Sequence, residues 1–531
     1  MFMIASLLRK KGKKKISILK VIFGIIFLFI IYNVFFLGFL IYRKNQNIVK
    51  GKNLASQYCQ TCHMLPSPQL LSKEMWYKGV FPKMGPLLGI NSFHGNPYII
   101  AADVDRNTYY PSIPIIDTVQ WGMLIDYYLS SAPDTLLMEK SNLEVKRELP
   151  FFKVELPKDS TFFSKVSICS YVKIDTTIIP HRFFVADGAF KKLFLFNDKN
   201  NLKSKVNVSG AIVDLSFQSN QILSCTIGEE MIANNQRKGL ITPMSVNNSE
   251  ITFQSKPLFN QLARPVKITE ADLNKDGKMD YIISQFGNII GDLSWMENKG
   301  GGKYVNHILR NKAGAMNTIV NDYNKDGLPD IWAQMAQGEE GIFLYTNKGN
   351  GIFEEKQVLR FPPIYGSTSF DLVDFNKDGF VDIVYTCGDN GDDTPILKPY
   401  HGVYIFLNDG KNNFTQKYFY HINGCYKAIA RDFREDGNID IATISFYPST
   451  LKPEESFLYF KNKGDFDFEL YTLPVTIPFQ KGLTMDAGDL DGDGKIDLIL
   501  GSGYYNSDKN DTHKEPLFVL LKNSAIKSTQ K

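Results

Sequence analysis

A nine-residue acidic phrase, repeated five times in the second half of the chain, limits the possible folds more than any other feature. Its form is Asp-x-[Asn/Asp]-x-Asp-Gly-x-x-Asp, with arginine at the third position in one copy. Successive copies begin 50, 52, 58 and 57 residues apart. A period of this length predicts an array of equivalent units, each with four short strands. The copies span 272–280, 322–330, 374–382, 432–440 and 489–497.

The phrase has the chemistry of a calcium-binding loop. Side-chain oxygens at positions 1, 3, 5 and 9 and the backbone carbonyl at position 7 can surround one hard cation, and glycine at position 6 permits the sharp bend. The position where an EF-hand supplies a bidentate glutamate holds other residue types, and β-rich runs replace the flanking helices. We therefore predict about four calcium ions, held by Asp272, Asn274, Asp276, Lys278 and Asp280; Asp322, Asn324, Asp326, Leu328 and Asp330; Asp374, Asn376, Asp378, Phe380 and Asp382; and Asp489, Asp491, Asp493, Lys495 and Asp497.

The fourth loop departs from this pattern. It contains Asp432, Asp436 and Asp440, but its third position is Arg434, whose guanidinium cannot coordinate a cation. We predict a weak or empty calcium site in this loop. Arg434 is expected to supply the positive charge itself, through ion pairs with Asp432 and Asp436.

Over most of residues 150–525, the repeats resemble the FG-GAP/VCBS-type repeats of integrin-alpha-like β-propellers. The resemblance implies a calcium-binding propeller whose cation loops join the first two strands of each blade on one face. Segments 162–198 and 210–228 show similar strand pairs without the acidic loop, so we expect seven blades. The segment beginning at Phe151, just before the first blade, is expected to supply the outer strand of the last blade and close the ring.

Loops on the opposite face of such a propeller vary in length in this sequence. The short ones are Phe286–Gly291 and Ala336–Gly341, and the long ones are Gly228–Gly239, Cys387–Gly402, Tyr447–Glu455 and Gly503–Pro516. Long polar loops on a rigid scaffold are a common place for binding, so this face is the candidate docking surface. Insertion without function is the alternative explanation of their length.

A second motif precedes the repeats. Cys59-Gln60-Thr61-Cys62-His63 is the C-x-x-C-H signature of covalent haem attachment, in which Cys59 and Cys62 bond the porphyrin and His63 is the proximal iron ligand. A helix is predicted from Gly51 to Tyr58. A second, amphipathic helix is predicted from Asp117 to Ser130, with a capping box of Asp117 and Gln120. These features resemble the class I monohaem cytochrome c fold, which implies a small all-α haem domain over residues 45–135.

The sixth iron ligand is less determined by the sequence. Met84 lies between Pro82 and Pro86, and we expect it in a constrained loop that presents its thioether to the iron. His94 is the alternative distal ligand, and an open site or another ligand is a third possibility.

The N-terminus predicts a membrane anchor. Residues 1–20 hold seven basic and no acidic residues, and the run from Val21 to Ile41 is apolar except for Tyr32 and Asn33. A helix of this length spans a bilayer core, and the basic residues should keep the N-terminus in the cytoplasm. A buried core helix is the alternative. Beyond residue 20 the chain carries a net charge of −3, against +4 overall, so no nucleic-acid partner is expected.

The predicted order is a basic leader (1–20), a transmembrane signal anchor (21–42), a haem domain (45–135), a linker (136–149) and a mainly β, seven-bladed propeller (150–525). It predicts a periplasmic c-type cytochrome on a bacterial inner membrane, with one haem c. This cytochrome would exchange electrons with a redox partner protein or small-molecule donor. The alternatives are a propeller dehydrogenase that reduces its own haem, and a non-redox adhesion or carbohydrate-binding propeller with a glycan or protein ligand. No catalytic residues are predicted, and the state of Cys169, Cys225, Cys387 and Cys425 stays open.

Overall fold

The computed structural model describes residues 18–98, 100–138, 143–217, 221–391, 394–508, 510 and 512–525. Most of the basic leader, residues 1–17, and residues 139–142 of the linker therefore lie outside the described residues. Within them, an N-terminal helical unit is followed by a long series of antiparallel strands.

The helical unit begins with one continuous helix, α1 (Ile18–Tyr58), which contains both the apolar run and the helix predicted before Cys59. Its N-terminal part is long and apolar enough to cross a membrane. The other helices are α2 (Lys73–Met75), α3 (Phe81–Leu87), α4 (Arg106–Tyr109) and α5 (Thr118–Ser131), with a π-helical turn at Trp76–Val80 and a short hairpin of β1 (Ser92–Phe93) and β2 (Asn96–Pro97).

Helix α5 is capped and oriented as its sequence predicts. Asp117 accepts a hydrogen bond from the Gln120 backbone N–H, and the Gln120 side chain accepts one from the Asp117 N–H, which completes the capping box. The buried face packs against α1 and the turn at Trp76, where the ring centroids of Trp76 and Tyr128 lie 4.4 Å apart. The two ends of the helical unit are thereby joined through one apolar core.

The strands after residue 160 form antiparallel meanders, whose first strands contact one another in order around a ring. Meander 1 contains β6 (Val166–Asp175), β7 (Arg182–Asp187), β8 (Lys192–Asn197) and β9 (Leu202–Asn207). Meander 2 contains β10 (Ile212–Phe217), β11 (Ile222–Thr226), β12 (Gly239–Asn247) and β13 (Glu250–Phe253), and β14 (Phe259–Leu262) also pairs with β12. Meander 3 contains β15 (Pro265–Ala271), β16 (Asp280–Gln285), β17 (Asp292–Gly300) and β18 (Lys303–Arg310).

The ring continues with the same strand order. Meander 4 contains β19 (Ala315–Asn321), β20 (Asp330–Met335), β21 (Gly341–Asn347) and β22 (Phe353–Arg360). Meander 5 contains β23 (Ser367–Val373), β24 (Asp382–Cys387), β25 (Gly402–Asn408) and β26 (Phe414–His421). Meander 6 contains β27 (Cys425–Arg431), β28 (Asp440–Ser445), β29 (Phe457–Asn462) and β30 (Phe468–Tyr471). The linker adds β3 (Val145–Lys146) parallel to β30.

Meander 7 is completed by a strand from the start of the propeller chain. Its own strands are β31 (Gly482–Gly488), β32 (Asp497–Tyr505) and β34 (Phe518–Asn523), and the outer strand is β4 (Phe152–Glu155), paired antiparallel with β34. This confirms the expectation that the segment beginning at Phe151 closes the ring. Two further strand pairings join meander 7 to meander 1. One is between β5 (Phe163–Ser164) and β33 (Glu515–Pro516), and the other is between β32 and β6.

Side chains on the first strands strengthen the contacts between meanders. Asp486 on β31 accepts hydrogen bonds from the Ile174 backbone N–H (2.8 Å) and from Lys173 Nζ (3.2 Å) on β6. The same arrangement joins Asp214 on β10 to Ile268 and Lys267 on β15. The first strands of neighbouring meanders belong to different sheets. Each of these carboxylates therefore supplies the acceptor for a backbone N–H on the adjacent first strand.

Gly51 is the closest contact between α1 and α5. A Cβ added to Gly51 would lie 2.0 Å from the Met123 carbonyl oxygen, so we expect Gly51→Leu to force the helices apart and destabilise the helical unit by about 1–3 kcal/mol. Thermal unfolding in detergent, followed by tryptophan fluorescence, measures the effect, with Trp76 and Trp121 in the helical unit and Trp295 and Trp332 in the propeller. Gly38→Leu is the matched control, since nothing lies within 4 Å of that position in the same helix. Equal unfolding temperatures for both variants would contradict the close crossing.

Candidate functional site

A cavity of about 500 Å³ lies between the helical unit and one face of the propeller. Its helical wall includes Cys59, Cys62, His63, Met84, Trp76 and Trp121. Its propeller wall includes Asn288, Lys312, Gln337, Glu339, Ile364 and Thr394, which come from connections in and between meanders 3, 4 and 5. A cavity of this volume with mostly apolar walls and few polar groups is suited to one cofactor-sized ligand.

The C-x-x-C-H residues lie together at this cavity. Cys59 starts a short 3₁₀ turn (Cys59–Thr61) directly after α1, and both Cys59 and Cys62 are free thiols. Burial raises the pKa of the Cys59 thiol to about 11, and the nearby Cys62 adds to the effect. Two unpaired thiols on one turn, open to a cavity, can both bond to the same bound group.

His63 is buried and held in one orientation. Its Nδ1 lies 2.9 Å from the Met64 carbonyl oxygen, so in the neutral ring Nδ1–H donates to that carbonyl and Nε2 keeps its lone pair. Burial lowers the pKa of His63, which favours the neutral ring that a metal requires. Arg360 of the propeller lowers this pKa further, whereas Glu339 of the propeller and the bond to Met64 oppose the shift.

The structure separates the two predicted distal ligands. Met84 lines the cavity but lies in helix α3 and not in the predicted loop, because Pro82 is tolerated in the first turn of a helix. His94 is exposed at the turn of the β1–β2 hairpin, with φ of 49°, and is not among the residues that line the cavity. Of the two, Met84 is therefore the one placed with Cys59, Cys62 and His63.

Among the described residues, both polar and apolar contacts hold the helical unit on the propeller. Asp103 accepts hydrogen bonds from the Asn235 backbone N–H (2.8 Å) and Nδ2 (2.9 Å), and Asn235 Oδ1 accepts from the Ile289 N–H (2.6 Å). The Tyr400 hydroxyl lies 3.2 Å from the Leu70 carbonyl oxygen. Ile364 joins the apolar core of the helical unit.

These contacts change the interpretation of the loop lengths. The short connections of meanders 3 and 4 supply the propeller wall of the cavity, through Asn288 and Glu339. The long loop Gly228–Gly239 holds the helical unit through Asn235, and Cys387–Gly402 contributes Thr394 to the cavity and Tyr400 to the contact. Part of the face expected to dock a partner is therefore occupied by the chain's own helical unit.

The five acidic loops lie between the first and second strands of meanders 3 to 7, at the side of the ring away from the cavity wall. In each loop the position-1 aspartate accepts backbone N–H bonds from the residue at position 4 or 5 and from the glycine at position 6, as Asp272 does from Asp276 (3.0 Å) and Gly277 (2.9 Å). The position-6 glycines have φ of 83–90°, a region that strains residues with a Cβ. The same bonds recur at Asp322, Asp374, Asp432 and Asp489.

Carboxylates converge most clearly in the last loop. The ligand oxygens of Asp489, Asp491 and Asp493 lie within 4.8 Å of one another. Lys522 from β34 approaches Asp491 at 3.2 Å, so part of this negative charge is already paired. In the first loop the side chain of Lys278 pairs with Asp276 at 2.8 Å, which leaves the backbone carbonyl of Lys278 as its predicted contribution.

The position-9 aspartates have a structural role that the sequence analysis missed. Each is fully buried or nearly so and accepts a 2.7–2.8 Å hydrogen bond from the backbone N–H of an asparagine at or near the end of a neighbouring strand. The pairs are Asp280–Asn298, Asp330–Asn347, Asp382–Asn408, Asp440–Asn462 and Asp497–Asn523. The asparagine side chain then accepts from the backbone N–H two residues later, which turns the chain.

A sequence signal for this pairing exists. The asparagines start Asn-Lys-Gly or Asn-Asp-Gly in four copies and Asn-Ser-Ala in the last, 17 to 26 residues after the aspartate. Burial raises the pKa of these carboxyls, to about 6 for Asp497, although the bonds from backbone N–H groups oppose the shift.

In the fourth loop Arg434 occupies the middle of the acidic cluster. Its Nε and Nη2 lie 2.8 and 3.0 Å from the two oxygens of Asp440, Nη2 also donates to the Asn462 carbonyl oxygen (2.7 Å), and Nη1 pairs with Asp436. The prediction named Asp432 instead of Asp440 as a partner and was wrong there, because Asp432 is occupied by the backbone N–H groups of Asp436 and Gly437. The pairing raises the pKa of Arg434, although burial opposes it.

Comparison with known proteins agrees with the repeat assignment. The model of the FG-GAP-like repeat matches residues 272–333 and 322–385. The T-cell immunomodulatory protein homolog of Plasmodium falciparum (isolate 3D7) is 23% identical over 349 residues, covering 48% of this chain and 45% of that protein. Cartilage acidic protein 1 of Xenopus tropicalis is 29% identical over 215 residues, covering 36% of this chain and 28% of that protein. The chain thus spans less than half the length of these curated relatives.

Solved structures with similar backbones include propellers. Virginiamycin B lyase from Staphylococcus aureus overlaps 70% of this chain and 99% of its own, with a TM-score of 0.41 and 13% identity. The Dos1 propeller overlaps 65% of this chain and 77% of its own, with a TM-score of 0.37 and 10% identity. The strand order and the repeats of the present chain define it as a β-propeller protein with FG-GAP-like repeats.

Arg434 provides a test of the cation loops. Arg434→Ala would leave the buried carboxylate of Asp440 without its counter-charge and should cost about 3–5 kcal/mol of stability. Arg434→Asn restores the acidic phrase, so its loss should be recovered by millimolar calcium, whereas that of Arg434→Ala should not. Thermal unfolding with calcium or with a chelator measures both. Equal calcium responses of the two variants would contradict a loop in which the guanidinium replaces the cation.

Proposed function

We propose that this chain is a membrane-anchored electron-transfer protein that binds one haem c between its helical unit and its propeller. The observation that supports this most is the cavity, which brings Cys59, Cys62, His63 and Met84 together although the sequence motif joins only the first three. Its volume and apolar aromatic walls fit a porphyrin, and its thiols and imidazole fit the covalent and axial bonds that haem c requires.

In this proposal the chain's own residues hold and shield the group. Cys59 and Cys62 would hold the haem through two thioether bonds, and His63 would offer Nε2 to the iron, while the Met64 carbonyl fixes the ring through Nδ1. Trp76, Phe81, Trp121 and Tyr128 exclude water from the helical side of the cavity. When bound, the haem supplies a one-electron Fe(III)/Fe(II) couple. The donor is either a redox partner protein or a small molecule.

Met84 is the proposed distal ligand. It lies in the cavity on α3, whereas His94 is exposed on a hairpin. A thioether is a softer ligand than imidazole and stabilises the reduced iron, so the choice between the two sets whether the potential is high or low.

The proposed frame of the protein is a seven-bladed propeller made of meanders 1 to 7, stabilised by calcium in four of its five acidic loops. The convergent carboxylates of Asp489, Asp491 and Asp493 support this, as do the position-1 bonds that bend the other loops in the same way. In the fourth loop Arg434 takes the place of the ion.

The proposed location is the inner membrane of a bacterium, with the propeller in the periplasm. Helix α1 is long and apolar enough to cross a bilayer, and seven basic residues precede its apolar run in the sequence. Periplasmic exposure is also consistent with covalent haem attachment, which the motif requires.

A non-redox binding propeller is the second candidate. It is supported by the curated relatives, whose names describe an immunomodulatory protein homolog and an acidic cartilage protein and no redox chemistry. Under this alternative a glycan or protein ligand binds the propeller, and the helical unit is a spacer. A dehydrogenase would need a substrate pocket at the propeller centre, where ion pairs such as Lys173–Asp486 and Lys267–Asp214 lie.

Covalent haem distinguishes these candidates. We expect residues 43–531, produced in a periplasm with the c-type maturation machinery, to give a pyridine haemochrome spectrum with one haem per chain. Cys59→Ala/Cys62→Ala should abolish it, because both thioether bonds are lost, and Cys225→Ala in the propeller should keep it. Folded wild-type protein without covalent haem would favour the non-redox binding propeller.

The distal ligand has its own test. Met84→Ala should remove the absorption band that is characteristic of methionine-ligated ferric haem and lower the midpoint potential, since the thioether favours reduced iron. His94→Ala should change neither. Optical redox titration of both variants measures this, and the reverse result would assign the ligand to His94.

A further inference from the structure

The propeller places a fixed carboxylate at the cavity. Glu339 lies between β20 and β21, lines the cavity, and keeps a side chain that is 27% exposed. It pairs with Arg310 Nη2, and Arg310 is itself held by Glu355 (2.6 Å from Nη1) and by the ring of Phe343, whose centroid lies 4.1 Å from the guanidinium carbon. A carboxylate anchored in this way cannot turn freely into solvent.

A residue of opposite charge lies on the same wall. Lys312, in the connection from β18 to β19, also lines the cavity and is exposed at its rim. The contacts of Asp103 with Asn235 and of Leu70 with Tyr400 hold this wall against His63 and the two cysteines. Charges of the propeller and the predicted ligands of the helical unit therefore surround the same cavity.

We propose that Glu339 and Lys312 set the reduction potential of a haem bound on His63, so that the propeller forms part of the cofactor site. This rests on the proposed function. A negative charge near the iron stabilises the ferric form, which carries one more positive charge than the ferrous form, and a positive charge does the reverse. The effect is larger for Glu339, whose side chain is only 27% exposed on the cavity wall, than for Lys312, whose exposed ammonium is screened by solvent.

The experiment uses the full chain with haem attached. Glu339→Gln should raise the midpoint potential and change the reduction equilibrium constant by about threefold or more. Lys312→Gln should lower the potential by a smaller factor, because solvent screens its exposed side chain. Glu355→Gln is the matched control, because Glu355 pairs with the same Arg310 but is not among the residues that line the cavity. Optical titration with dithionite and ferricyanide gives the potentials, and the haemochrome spectrum confirms equal haem loading in all variants.

The outcomes separate the two proposals. Opposite shifts for Glu339→Gln and Lys312→Gln, with Glu355→Gln unchanged, support the inference. Potentials equal to wild type in both cavity variants, with haem attached, overturn it and leave the proposed function intact. A shift of the same size in Glu355→Gln also overturns it, since the effect would then act through Arg310. Absence of haem from the wild-type chain overturns both proposals, and it is seen in the spectrum before any titration.

Discussion

Buried carboxylates at the start of the second strands are the interaction on which meanders 3 to 7 depend. A charged group in the interior is costly, and it persists only where hydrogen bonds or counter-charges compensate it. Asp280, Asp382 and Asp497 each accept two backbone N–H bonds, one from their own loop and one from a strand of the same sheet. These bonds fix the register of the second strand and the shape of the acidic loop at once, so the geometry of the loop and the order of the sheet are coupled.

Arg434 shows the same requirement met in another way. Where the loop lacks a third-position ligand, a guanidinium from the loop bonds both oxygens of Asp440 and a carbonyl of the neighbouring turn. The guanidinium places one fixed positive charge among the aspartates of this loop, and as part of the chain it cannot dissociate. Meander 6 is also the sheet that receives β3 from the linker.

Sequence predicted those features that depend on local pattern. The capping box at Asp117, the helix before Cys59 and the closing strand at Phe152 follow from residue types over short distances, and the structure confirms them. Met84 was expected in a loop because Pro82 and Pro86 flank it, yet Pro82 lies in the first helical turn, where a proline is tolerated, and the helix also includes Pro86 near its end. The asparagines that donate to the buried aspartates, such as Asn298, were overlooked because their spacing from the acidic phrase varies with loop length. Glu339 could not be assigned to the cavity at all, since nothing in the sequence relates it to His63 more than 270 residues earlier.

The unbroken course of α1 has a mechanical consequence. If residues 21–42 lie in a bilayer, the remaining turns up to Tyr58 form a stiff post about 25 Å tall, because a helix rises 1.5 Å per residue. Gly51 locks this post into the helical unit, and the helical unit is bonded to the propeller. With α1 in a bilayer, the propeller would therefore stand at a set height and orientation above the lipid, and any partner would have to come to that height instead of being reached by a flexible tether.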